Sequence, residues 1–151
     1  MSPDYADRIG AIDWTAYHTA YGRADGVASQ LLDLASSDHD AAMKATHALW
    51  CGLCHQHAYI SSAALPAYPF ILEVLDSAND DLAVEILDIL LGFAACSTLG
   101  PEGPSTNEWE RELRGKLRQQ LPRFVALAKH PNELISSFAE EIVENLTQYA
   151  A

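Results

Sequence analysis

The feature that most constrains this chain is a block of residues that recurs three times. Leu31-Leu32-Asp33-Leu34-Ala35 is followed by a polar joint at 36–38 and a helical run over 40–54. Ile71-Leu72-Glu73-Val74-Leu75, a joint at 76–79 and a run over 80–96 repeat the plan. Phe124-Val125-Ala126-Leu127-Ala128, a joint at 129–132 and a run over 133–149 repeat it again. A helix, a tight polar turn and a second helix, recurring at about forty residues, describe stacked helical hairpins. Each hairpin carries an apolar face that it cannot bury alone, so stacking has to supply the core. The 151 residues therefore read as a single helical-repeat domain, 1–151, long enough to bury roughly 70 % of the unfolded chain's surface.

Around the blocks, Trp14, Tyr17 and Tyr21 are spaced by three and four and predict a short N-terminal helix closed by Gly22. The first helices of the first two hairpins are expected over 27–36 and 65–76, with Pro66 and Pro69 in the first turn of the latter. Asp38 or Asp40 is placed to cap the helix that ends near His55. Thr98 to Ser105 is a Gly-Pro loop. Asn107 and Glu110 then form a capping box that opens a charged helix running to Gln120, where Pro122 breaks it.

Placing Ala42, Ala83 and Ile135 in register aligns the second helices. The rows Thr46/Leu87/Ala139, Leu49/Leu90/Ile142 and Leu53/Ala94/Leu146 are then core. The opposite rows read Lys44/Glu85/Ser137, His47/Asp88/Glu140 and Cys51/Gly92/Glu144. Second helices tend to line the concave side of such stacks. Lys44, His47, Glu85, Asp88, Glu140 and Glu144 are accordingly expected to form one partner-binding stripe.

Charge narrows the partner. The formal net charge is −12, from 21 acidic and 9 basic residues. The basic residues are concentrated in 107–131, which leaves the rest strongly acidic. Such a field repels phosphate backbones and anionic lipid, so neither nucleic acid nor a membrane is expected, and a basic protein is. No apolar run reaches the ~18 residues of a membrane span. The start, Met-Ser-Pro-Asp-Tyr-Ala-Asp, does not resemble a signal peptide, and three cysteines do not make a disulfide framework. A reducing, cytoplasmic setting is the expectation.

Cys51-Gly52-Leu53-Cys54-His55 matches the haem-attachment string, but it lies within an amphipathic helix and reads as small residues on that helix. His47, Cys51, Cys54 and His55 share one stripe. Ligands from one straight helix all approach from one side, so they cannot enclose a tetrahedral ion, and no metal or cofactor is expected. The alternative reading is a small-molecule or metal site in the groove, built from His47, Cys51, Asp88 and Glu140. His55, Gln56, His57 and Tyr59 read as a polar network at a helix end, where unpaired carbonyls need donors and one hairpin is tied to the next. No nucleophile with its base, phosphate-cradling loop or carboxylate pair is present in the pattern, so no enzyme is expected.

A further set of residues carries a resemblance: Trp14, Tyr21-Gly22-x-Ala24, Leu32, Leu34, Ser37-x-His39, Ala48-Leu49-Trp50, Leu53, His55-Gln56, Tyr59, Ala63, Ala67 and Pro69-Phe70. With these, the stretch 14–75 resembles a bacterial HEAT-repeat family, most specifically in Leu49-Trp50…His55-Gln56 and Ala67-x-Pro69-Phe70. The chain departs from the family where Gly normally follows His-Gln, since His57 stands there. The resemblance implies an α-solenoid of largely unassigned role, and small acidic proteins of this build look like immunity proteins that neutralise toxins. With the repeat, the expected fold is all-α: a HEAT/armadillo-like right-handed α-solenoid of about three helical hairpins, plus a short N-terminal helix and an extra charged helix. The expected function is a protein-binding module, in its most concrete form an immunity protein.

Overall fold

Residues 3–97 and 107–148 are described by a computed structural model, and the expected loop from Thr98 to Ser105 lies outside them. The described chain is mostly helical. Its helices are α1 (Tyr5–Gly10), α2 (Val27–Leu34), α3 (His39–Leu53), α4 (Ala64–Leu75), α5 (Asp80–Cys96), α6 (Glu108–Gln119), α7 (Leu121–Leu127) and α8 (Glu133–Gln148). The three blocks become α2–α3, α4–α5 and α7–α8.

Each joint ends in the residue that starts the next helix. Asp38 Oδ1 accepts from the N–H groups of Asp40 (3.1 Å) and Ala41 (3.3 Å). Asn79 Oδ1 accepts from Leu82 N–H at 2.9 Å. Asn132 Oδ1 accepts from Leu134 N–H at 3.0 Å and Ile135 N–H at 3.2 Å. A short polar side chain at the end of each joint satisfies donors that have no partner inside the helix, which fixes where the second helix begins.

The second helices lie side by side, α3 on α5 and α5 on α8, while α2 packs on α4. All four expected core rows are buried, with Leu49, Leu53, Leu87, Leu90 and Ile142 fully enclosed. Each such side chain contributes on the order of 1.5–3 kcal/mol through burial. The buried apolar residues from Tyr5 to Leu146 form one cluster. Helix α6 departs from the hairpin pattern and packs against α4, α5 and α8. Its Arg114 is buried and donates to Ala94 O at 3.4 Å and Asn145 O at 2.9 Å. A cation there meets the negative carbonyl ends of α5 and α8.

The N-terminal expectation is corrected. The short helix is α1, and Trp14–Ala16 is a single 3-10 turn followed by a two-stranded hairpin, β1 (His18–Thr19) and β2 (Gly22–Arg23). Tertiary hydrogen bonds override the helical spacing. Ala20 N–H donates to Gly52 O at 2.8 Å, and Ala63 N–H donates to His18 O at 3.0 Å. Gly22 sits at φ 119°, a value closed to most side chains. Trp14 is buried and Tyr21 is 71 % exposed, so the aromatics do not share a face. Helix α1 instead lies across α2 and α4. Tyr5 OH donates to Leu31 O at 3.0 Å, and Arg8 pairs with Glu73 at 2.6 Å. Pro69 is also corrected: it stands in the interior of α4, on an exposed position, rather than in the first turn.

Candidate functional site at the end of α3

Helix α3 ends at Leu53, and the next residues turn the wrong way for L-amino acids. His55, Gln56 and His57 have φ of 39°, 56° and 68° in succession. Left-handed backbone costs roughly 1–2 kcal/mol per residue without glycine. The turn therefore forms without glycine, and something must hold it. His57 Nε2 lies 2.8 Å from Asp88 Oδ1 and 2.8 Å from Asp88 O on α5. Both neighbours are acceptors, so the imidazole donates from Nε2. His57 thereby links the end of α3 to α5.

The expected role at the carbonyls of α3 is filled differently. Ser61 N–H donates to Leu53 O at 2.9 Å and Ala20 N–H to Gly52 O, so backbone donors take those groups. The imidazole of His55 packs on the Tyr59 ring at 4.8 Å and edge-on to Tyr21 at 6.1 Å. Gln56 is exposed. Nδ1 of His55 and Nε1 of Trp50 are buried without a hydrogen-bond partner among the described residues. Backbone strain and unpaired polar atoms in one place mark a segment shaped by more than packing.

Close approach at this point depends on Gly92. A Cβ on Gly92 would fall 2.5 Å from Cys54 Sγ and 2.8 Å from His57 Cδ2. Glycine inside a buried apolar helix costs about 1 kcal/mol relative to alanine, and that oddity was the available sequence sign of contact here. Cys54 is fully buried and donates to Trp50 O at 3.4 Å; burial pushes its thiol up to about 12.

The expected stripe residues divide by exposure. Lys44, His47, Glu140 and Glu144 are exposed, Glu85 and Asp88 are half-buried, and Cys51 and Gly92 are covered. Glu85 has its carboxyl raised above the ordinary range by desolvation and then by Asp88, with His47 acting in the opposite sense. This brings His47 on α3 and Glu85 and Asp88 on α5 into one electrostatic group. Within this row Asp88 is paired with His57.

The four-residue Cys/His stripe does not converge. Cys51 Sγ is 3.7 Å from His47 Nε2, while Cys54 turns into the core and His55 leaves on the left-handed turn. Among the described residues no three His, Cys, Asp or Glu side chains are grouped to hold a metal ion. The groove combination of His47, Cys51, Asp88 and Glu140 is likewise interrupted by the Asp88–His57 tie. Tyr21 is the neighbour that sequence spacing missed. Desolvation and then Cys51 beside it raise its phenol above the usual range. Only the β-hairpin brings it there. Among the described residues no helix is long and apolar enough to cross a membrane. Comparison with protein-family models, with curated proteins and with solved structures finds no match, so the functional reading rests on this geometry.

Proposed function

We propose that the three hairpins act as a short α-solenoid that binds a basic protein on the face formed by α3, α5 and α8. One observation carries this reading: carboxylates from separate hairpins fall on neighbouring helices. Glu85 is coupled to Asp88 and His47 at the α3–α5 boundary, and Glu140 and Glu144 stand exposed on α8, which packs on α5. Desolvation already disfavours the charged form of Glu85, so a Lys or Arg placed against it gains from relieving that cost. Tyr21 and Tyr59, exposed beside His55, add amphipathic contact area of the kind that anchors interfaces. In its most concrete form the module is an immunity protein that covers the basic cleft of a toxin.

The test is affinity capture from the source cell with wild type and with Glu140→Lys/Glu144→Lys, followed by association kinetics on the captured protein. These two positions are exposed, so reversal should leave the fold intact. The captured protein should be basic. Its association rate should fall about tenfold or more at low salt on reversal, and wild-type association should slow as salt rises. A partner that binds the reversed variant equally well, or that docks on α2 and α4, defeats the reading.

A further inference from the structure

Two of the large apolar side chains exposed among the described residues meet at one imidazole. Tyr21, at the tip of the β-hairpin, is 71 % exposed, and Tyr59, just beyond the left-handed turn, is 48 % exposed. The Tyr59 ring lies 4.8 Å from that of His55 at 30°, and the Tyr21 ring lies 6.1 Å from it at 71°. The two phenols are close enough to act on one another. Their rings therefore stand at an angle to each other in one solvent-facing patch.

The backbone holds this patch in place. Ala20 N–H donates to Gly52 O at 2.8 Å and Tyr21 N–H to Thr19 Oγ1 at 3.1 Å, which pins the hairpin tip to the end of α3. On the other side, Ala58 N–H donates to His55 O at 3.0 Å and Ser61 N–H to Leu53 O at 2.9 Å, which brackets Tyr59. Rings fixed in this way lose little freedom when something covers them. The patch also adjoins the acidic face. Cys51 lies beside the Tyr21 phenol and 3.7 Å from His47 Nε2, and His47 acts in turn on Glu85. Arg23, the basic side chain nearest to Tyr21 in sequence, is paired with Asp25 at 3.5 Å. Exposed π faces beside carboxylates, in a chain of net charge −12, favour a cation.

We propose, resting on the reading of the acidic face, that this patch receives an arginine side chain of the basic partner, with its guanidinium against the Tyr21 and Tyr59 rings. The chemistry of the patch selects arginine among possible occupants. A guanidinium is planar and weakly hydrated, so it lies flat on a ring and keeps its edge N–H groups for a phenol oxygen or a carboxylate. An ammonium is a strongly hydrated point charge without a plane to stack. An aliphatic side chain would cover the rings but gain nothing from the field.

The probe is the peptide acetyl-Gly-Arg-Gly-amide, compared with its lysine and citrulline counterparts; citrulline keeps the planar head and removes the charge. NMR titration of protein carrying 13C-labelled tyrosine should show saturable shifts at the Tyr21 and Tyr59 rings with the arginine peptide. The other two peptides should bind about fivefold or more weakly. Each ring is worth about two- to fivefold at an exposed site, so Tyr21→Leu and Tyr59→Leu should each weaken binding by that factor. Leucine keeps apolar area and removes the π face, and far-ultraviolet circular dichroism should be unchanged. No saturable shift, equal binding of the lysine or citrulline peptide, or undiminished binding to a folded Tyr21→Leu/Tyr59→Leu protein overturns the proposal. The titration requires no captured partner and leaves Glu140 and Glu144 untouched, so its failure is distinct from failure of the acidic-face reading, which the capture experiment decides.

Discussion

Gln56 shows how much can be learned from one backbone angle. It is exposed and left-handed, with φ 56° and ψ 37°. Gln56→Gly removes a strain of roughly 1–2 kcal/mol and returns roughly 0.5–1 kcal/mol as extra freedom of the unfolded chain. The variant should be more stable by about 0.5–1 kcal/mol in urea unfolding; a loss would mean that the Gln56 side chain holds the turn. Glu85 gives a second residue-scale expectation, with a sign that is easily reversed. Its folded pKa is raised above the ordinary 4.5. In the window from about 4.5 upward to the folded value, the folded state holds the extra proton, so stability falls as pH rises through it. The cost is fully present above the folded pKa. Glu85→Gln should therefore stabilise the protein at pH 7 and make little difference at pH 4, and equal effects at both would show that desolvation is not the cause. Neither residue's state was legible in the sequence. The positions of Asp88 and Glu85 in the rows were readable, but the pairing of Asp88 with His57 needs the backbone reversal at 55–57.

At the scale of elements, legibility followed local chemistry. The three second helices were readable because each begins at a joint whose last residue caps it and continues with core positions three and four apart. Leu90, in the middle row of the middle helix, is fully buried. Leu90→Ala should cost on the order of 2–5 kcal/mol in urea unfolding, and a loss below about 1 kcal/mol would mean that the rows do not meet as described. The expectation failed where long-range bonds decide. Trp14, Tyr17 and Tyr21 have helical spacing, yet Gly52 O and Ala63 N–H recruit the backbone at 18–20 into a hairpin. Helix α6 was readable as a charged helix but not as a packed one, since nothing in its own period announces that Arg114 points at the carbonyl ends of α5 and α8. Arg114→Met keeps much of the buried stem and removes the donors. It should cost about 1.5–3 kcal/mol, as for other hydrogen bonds made by a charged group. Stability unchanged by Arg114→Met would assign α6's packing to Leu113 and Leu117 alone.

For the molecule as a whole, the decisive quantity is the imbalance of 21 acidic against 9 basic residues, and distance determines how salt acts on it. The attractive pairs are contacts: Arg8 with Asp4 at 3.0 Å and with Glu73 at 2.6 Å, and Arg123 with Asp76. These separations are about a third of the ~10 Å Debye length at 0.1 M, so moderate salt weakens them little. The repulsions are longer. Carboxylates on neighbouring helices stand roughly 10 Å apart, where each pair costs about 0.4 kcal/mol in water before screening. At ~0.01 M salt the Debye length is about 30 Å and most of these terms survive; at ~0.15 M most are lost. Raising NaCl across that range at pH 7 should therefore raise the urea midpoint. The gain should disappear near pH 4.5, where the carboxylates are largely titrated. The repulsion that salt relieves is also what a basic partner on the α3–α5–α8 face would relieve. A salt-stabilised free protein and salt-weakened binding are thus two readings of one field. If NaCl lowers the midpoint at pH 7, the contacts outweigh the rows, and the acidic face is too dilute to guide a partner.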